Sequence, residues 1–377
     1  MKVLTVAATP YFSDRGCHIR IFLEAKYLQR KGVENIICTY HLGKNVGDLE
    51  VKRISKANWY KKTSPGFAWG KIWLDLKLLR LCINEIRKNR PEIIHAHLYE
   101  GLVVGWLAKC LSGNKNIPIV LDLQGDLKSE LESYNKKNIG IIKNILVWLS
   151  NLVIGLADSV VVSSENALKD KTKFIVVKDG IDMDLFKNQY QDNLNKKIKS
   201  ELQQIKKWKG NGKVLIYTGG MEDGKGVEGL LREFLKIKEN LGDWKLILYG
   251  DGDKKDSYIK MVSESKLEDS VLFAEENGFF ALPHFLKIAE MAIDPKKSST
   301  ESSGKLMNYM AVGLPIICFD SQFNRKRLSD KGYYLKNISE LKNILKNETF
   351  SKKSYDLAHE AEEIEVEKLF EIFKKLI

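Results

Sequence analysis

A chain of 377 residues exceeds one ordinary domain, so two domains of about 180 residues are expected, each large enough to bury its own core. Hydrophobic residues at 44% and charged residues at 29% are those of a soluble globular protein, and five scattered cysteines (Cys17, Cys38, Cys82, Cys110, Cys318) exclude a disulfide framework and a clustered zinc site. The net charge of +12 is uneven: residues 1–186 carry 28 Lys and Arg against 19 Asp and Glu, the remainder 33 against 30, so the first half presents a basic face suited to an anionic partner.

The chain opens directly on a strand at residues 3–8, without the apolar core of a secretion signal, so a reducing, cytoplasmic location is expected. A loop at residues 9–16 and an amphipathic helix at 17–30 follow. Strand, loop with Gly16, and helix can bind phosphate in principle, and can equally be an ordinary turn. Apolar runs at 35–40, 92–95, 118–121, 159–162 and 174–177 then alternate with helical stretches at 68–87, 101–111 and 139–156. Such alternation predicts a parallel sheet covered on both faces by helices. In a doubly wound sheet the working loops lie at the carboxyl ends of the strands, which nominates residues 97–101, 122–126, 163–165 and 179–182. Residues 139–157 are the most membrane-like run, but Lys143, Asn144, Ser150 and Asn151 interrupt it, so a core or amphipathic helix is expected in place of a span.

Residues 187–212 are polar and rich in lysine and asparagine, and the boundary between domains 1–186 and 187–354 is placed there. Further apolar runs at 213–217, 245–249, 270–273, 289–293 and 315–319 predict a second doubly wound domain. Residues 355–377 read as a terminal helix with Leu369, Phe373 and Leu376 on one face and no strand partner.

Two strand-to-helix junctions of the second domain are built for anions. In Tyr217-Thr218-Gly219-Gly220-Met221-Glu222-Asp223-Gly224-Lys225-Gly226, glycines allow close backbone approach and Lys225 adds a point charge. In residues 298–319 a hydroxyl-rich loop leads through Ser303, Gly304 and Lys305 into a short helix with Leu306 and Met310 on one face, ended by Gly313. Two such junctions in one domain point to a diphosphate. Asp251-Gly252-Asp253 has the start of a calcium loop but lacks its later ligands, so no metal is expected.

The order Gly219…Lys225-Gly226, Tyr249-Gly250-Asp251-Gly252, Asp294-Pro295 and Lys305-Leu306-Met307-Asn308-Tyr309-Met310-Ala311-Val312-Gly313-Leu314-Pro315 resembles the nucleotide-sugar half of retaining GT-B glycosyltransferases of family four. The first half looks similar too, in Ile94-His95-Ala96-His97, Ala157-Asp158-Ser159 and Asp179-Gly180-Ile181-Asp182. The resemblance implies an α/β GT-B fold, two Rossmann-like doubly wound domains facing a central cleft, with the terminal helix packing back on the first domain. It further implies that a nucleoside-diphosphate sugar, uridine favoured over guanosine, is the donor substrate and that no other cofactor is needed. Gly16, Gly219, Gly220, Lys225, Glu301, Ser302, Ser303, Gly304, Lys305 and Asn308 would form the donor site. Gly220 stands where the family commonly has an arginine, and Asn308 where it has a ribose-binding glutamate. His97, Gln124 and Asp126 would lie near the transferred sugar as the catalytic candidates, the latter two in a loop where many relatives carry a histidine.

Residues 58–73 mix Trp59, Tyr60, Phe67, Trp69 and Trp73 with lysines inside the most basic stretch, residues 51–90. Aromatic and basic residues together suit an anionic membrane surface on the inner face of the cell membrane. They would also suit single-stranded nucleic acid, but no nucleic-acid module accompanies them. Packing of Trp69 and Trp73 into the core is the third reading. The function expected is transfer of a sugar, with retention, to a lipid-linked, polysaccharide or oligosaccharide acceptor of the cell envelope. The alternatives are a nucleotide-sugar epimerase of the same fold and a catalytically silent nucleotide-sugar-binding protein.

Overall fold

The computed structural model describes residues 1–13, 16–61, 70–124, 148, 151–163, 174–186, 196–275, 278–297, 303–347, 350–357 and 362–377. The chain divides into two compact units, Met1–Gly180 with Glu362–Ile377, and Ile181–Ala361. Residues 181–186, grouped with the first domain from sequence, therefore belong to the second unit.

The first unit is built on a seven-stranded sheet: β1 (Lys2–Ala7), β2 (Glu34–Thr39), β3 (Glu50–Arg53), β4 (Ile93–His97), β5 (Ile119–Leu123), β6 (Ser159–Val162) and β7 (Phe174–Val176). Their order is β3-β2-β1-β4-β5-β6-β7, every neighbouring pair parallel. All five residues of β4 and of β5 are buried, as expected of central strands covered on both faces. Helices α1 (Gly16–Arg30), α2 (Gly70–Asn89) and α3 (Leu98–Ser112) connect the strands. Leu98 takes a left-handed φ of 66°, so β4 turns into α3 without a loop and His97 is at once the last strand residue and the helix N-cap. The working loop expected at residues 97–101 is thus a helix start.

The second unit carries six parallel strands, β8 (Lys213–Thr218), β9 (Trp244–Tyr249), β10 (Val271–Ala274), β11 (Met291–Asp294), β12 (Ile316–Phe319) and β13 (Gly332–Leu335), in the order β10-β9-β8-β11-β12-β13. The helices α4 (Lys196–Lys209), α5 (Val227–Ile237) and α6 (Lys305–Ala311) are the ones that matter below. α4 occupies much of the stretch read as a linker; buried Ile198 and Ile205 give it the one apolar stripe among its lysines. In both sheets the connectivity reverses beside the first strand, between β1 and β4 and between β8 and β11. Those are the switch points where doubly wound sheets open a crevice at their carboxyl ends. The fold is two doubly wound α/β domains.

The terminal helix α7 (Glu362–Leu376) is part of the first unit. Its Val366, Leu369 and Phe373, all 0% exposed, pack with Val3, Leu28, Val120, Val161 and Val177. Glu365 accepts a hydrogen bond from the Lys178 backbone N–H at 2.9 Å, so the helix closes one face of the sheet and caps the chain leaving β7.

Candidate active site

In the second unit the residues after β8 and β11 converge. The Thr218 backbone N–H and hydroxyl both donate to the Tyr309 hydroxyl, at 3.0 and 3.1 Å, tying the end of β8 to α6. Gly226, the N-cap of α5, holds φ at 77°, and a Cβ there would lie 2.0 Å from the Pro295 carbonyl oxygen. The lysine-glycine loop can seat against the end of β11 only because this residue is glycine. Gly250 plays the same part against Gly219, whose carbonyl oxygen would be 2.0 Å from its Cβ.

Lys305, the first residue of α6, reaches back along this floor. Its Nζ lies 3.4 Å from Oδ1 of Asp294, which is 2% exposed, and 4.9 Å from the centre of the Tyr217 ring. Its side chain runs against Gly219, within 3.2 Å of where a Cβ would be. Burial pushes the Lys305 ammonium down from the ordinary lysine value; Asp294 opposes the shift, and the positive charges of Lys225 and Lys296 add to it. The charges of three lysines thus act on one another here, and the half-buried backbone of Gly219 runs beside Lys305. An anion bound there would be attracted by all three.

Of the expected donor residues, Gly219, Gly220, Lys225, Ser303, Gly304, Lys305 and Asn308 all belong to this unit, and Lys305 lies against Gly219. Ser303 and Gly304 immediately precede α6, and Asn308 is half-buried on it. Glu301 and Ser302 lie outside the described residues. Gly16 belongs to the other unit, where it is exposed at the start of α1 with open space where a Cβ would stand. Tyr309 and Asp294 were not singled out from sequence, although both stand inside the motifs that carry the resemblance.

The first unit holds a second polar cluster, centred on the buried Asp122 and Arg20. Asp122, at the end of β5 and 0% exposed, receives three donors on Oδ2: Arg20 Nε at 2.9 Å, Gln124 Nε2 at 2.8 Å and His97 Nδ1 at 3.1 Å. Burial opposes its charge, but the Arg20 guanidinium and the His97 N–H hold the Asp122 carboxyl well below the usual carboxylate range. Arg20 also contacts Asp179 at 2.8 Å, the Val177 carbonyl at 3.0 Å and Glu24 at 3.1 Å. Because ionised Asp122 can only accept, His97 donates from Nδ1 and its tautomer is set. His97 is 1% exposed, turned inward to this carboxylate, while Gln124 on the same network is half-buried. Asp126 lies outside the described residues.

Arg20 and Glu24 were missed from sequence; the available signal was a charged i,i+4 pair on the apolar, buried face of α1. Glu24, His95 and His97 bring three donor atoms within 4.8 Å of one another and could in principle hold a metal. The His Nε2 atoms stand 3.8 and 3.9 Å from Glu24 Oε2, wider than the roughly 3.3 Å between neighbouring ligands of tetrahedral zinc. Arg20 already supplies positive charge to Glu24, and burial, chiefly, with His97 and Arg20 pushes the His95 ring well below its ordinary value.

Residues 198–342 match the family model of glycosyl transferases group 1, and residues 16–181 that of Glycosyltransferase Family 4. The two matches fall one in each unit, and both are to glycosyltransferase models. The chain is 26% identical over 252 residues to N-acetyl-alpha-D-glucosaminyl L-malate synthase of Bacillus anthracis, a match covering 64% of this chain and 60% of that protein. It thus spans about three fifths of the length of the curated relatives it matches. Among solved structures it resembles sucrose-phosphate synthase from Thermosynechococcus elongatus (TM-score 0.73, 16% identity, covering 100% and 98% of the two chains). It also resembles Anabaena Alr3699/HepE in complex with UDP and glucose (TM-score 0.69, 15% identity, 100% of both chains).

Proposed function

We propose that the protein is a retaining glycosyltransferase that takes a sugar from a nucleoside diphosphate, UDP in preference to GDP, to a lipid-linked or glycan acceptor. The observation that carries this reading is Lys305, paired with the buried Asp294 and laid against Gly219, with the positive charges of Lys225 and Lys296 acting on it. In this reading Lys225 and Lys305 meet the charge that grows on the departing diphosphate, a stabilisation that needs no proton transfer from the protein. The backbone N–H groups of Ser303 and Gly304 add donors, and the Asn308 amide bonds the ribose hydroxyls. In the first unit we assign the half-buried Gln124, which donates to Asp122, a role in binding substrate. The UDP bound by Alr3699/HepE supports the choice of donor, and both family models support the reaction class.

Thermal-shift measurement against uridine, guanosine and adenosine diphosphate sugars tests the donor site, since a ligand that binds only the folded state raises the melting point. Lys225→Ala should abolish the donor-induced shift while moving the unliganded stability by less than about 0.5 kcal/mol, as for a surface substitution. The absence of any shift with every nucleotide sugar would refute the reading. Gly220 and Asn308, in place of the family's arginine and glutamate, favour a binding protein without turnover as the second reading. Labelled donor incubated with a lipid extract separates the cases: transfer supports the proposal, saturable binding without product the silent protein, and an isomerised free donor the epimerase.

A further inference from the structure

The basic, aromatic stretch of the first unit acquires a definite surface in the fold. Along α2, Leu74, Leu78, Cys82 and Ile86 are 0% exposed and face the core. Trp73, Leu76, Lys77 and Arg80 follow the i, i+3, i+4, i+7 spacing of the opposite face. Trp73 is 65% exposed, Leu76 51% and Ile72 48%, so core packing of Trp73 is overturned. Trp59, 59% exposed, lies over Gly70 at the start of the helix: a Cβ there would sit 2.7 Å from its ring. Four large apolar side chains thus stand in water around the first turns of one helix, and the same face continues with Lys77, Arg80 and Lys88 over about 22 Å.

The charge on this helix is sorted by face. Its two carboxylates turn away: Asp75 accepts from the Tyr40 hydroxyl, and Glu85 is buried and accepts from Asn89. Among the described residues Lys77, Arg80 and Lys88 have no carboxylate within ion-pair distance. We propose that this face of α2, with Trp59, docks the protein on an anionic lipid surface. The indole rings and the Ile72 and Leu76 side chains enter the boundary between head groups and acyl chains, and the basic residues lie against the anionic head groups. Exposed aliphatic side chains are what decide for lipid over single-stranded nucleic acid: bases stack on rings and guanidinium planes, and Ile72 and Leu76 offer neither. The proposal is independent of the donor site, which lies in the other unit.

The test is co-sedimentation of the full chain with vesicles of phosphatidylglycerol and phosphatidylcholine, against vesicles of phosphatidylcholine alone, with the donor-induced thermal shift read on the same samples. Binding to the anionic vesicles that weakens in high salt is expected. Lys77→Gln/Arg80→Gln should lower the partition about 25-fold, at roughly five-fold per charge. Trp73→Ser/Leu76→Ser should reduce binding to the background seen with neutral vesicles, with an unchanged melting point because both side chains already face water. Equal partition of wild type and both variants, no binding to anionic vesicles, or saturable binding of single-stranded RNA with none to vesicles would each overturn the proposal. A lost donor shift with intact vesicle binding would instead count against the proposed function alone.

Discussion

Replacing Arg20 by methionine is the sharpest test of how the first unit is held together. Arg20 is 5% exposed and makes three ionic contacts, to Asp122 at 2.9 Å, Glu24 at 3.1 Å and Asp179 at 2.8 Å. The Asp179 side chain is 54% exposed, so water takes over from the guanidinium there, at a cost of no more than about 1 kcal/mol. Asp122 and Glu24 are 0% and 1% exposed, and removing the guanidinium takes its positive charge from two buried carboxylates, leaving Asp122 with the Gln124 and His97 donors. Breaking a buried pair in this way costs about 3–5 kcal/mol, or roughly 6–20 °C in the melting point of a unit this size. The pH dependence should invert as well. In the wild type the folded Asp122 has a depressed pKa, so its contribution is fully present above the unfolded carboxylate value and is lost as pH falls below it. Without Arg20, burial raises the Asp122 pKa, and the variant is penalised most at neutral pH and recovers as the carboxyl protonates. Urea denaturation followed by circular dichroism from neutral to mildly acidic pH measures this. Arg20→Met/Asp122→Asn should be less destabilised than the sum of the single variants by more than about 0.5 kcal/mol. A loss below about 1 kcal/mol for Arg20→Met, or additivity of the pair, would refute the network as drawn.

Two further outcomes concern the second unit. Tyr309→Phe removes the acceptor of the buried Thr218 N–H and should cost about 1–3 kcal/mol in denaturant unfolding, with the donor affinity lowered because the end of β8 loses its tie to α6. Gly226→Ala must displace either the Pro295 carbonyl or the loop itself, so the donor-induced thermal shift should fall sharply and stability by more than about 1 kcal/mol. A Gly226→Ala variant with a normal donor shift would show that the seating of the loop on β11 does not matter for binding.

The sequence alone established the alternation of strands and helices, two doubly wound domains, and the Gly219, Lys225 and Lys305 motifs, because apolar runs, glycines and helix starts are local signals. β3 and β13 were not anticipated: Glu50–Arg53 is mostly charged, and Gly332–Leu335 is only partly buried, so neither has the continuous apolar character of a central strand. α4 was taken for a linker because two isoleucines among lysines make a faint stripe. Only the tertiary structure decided the rest, since it depends on which distant residues meet. It brought Lys305 onto Asp294 and Gly219, turned His97 inward to Asp122, and gave that carboxylate a guanidinium from α1, about a hundred residues earlier in the chain. It also turned Trp73 outward, which the four-residue spacing could not settle: periodicity says which side chains share a face, and only the packing of the helix says whether that face meets the core or the water.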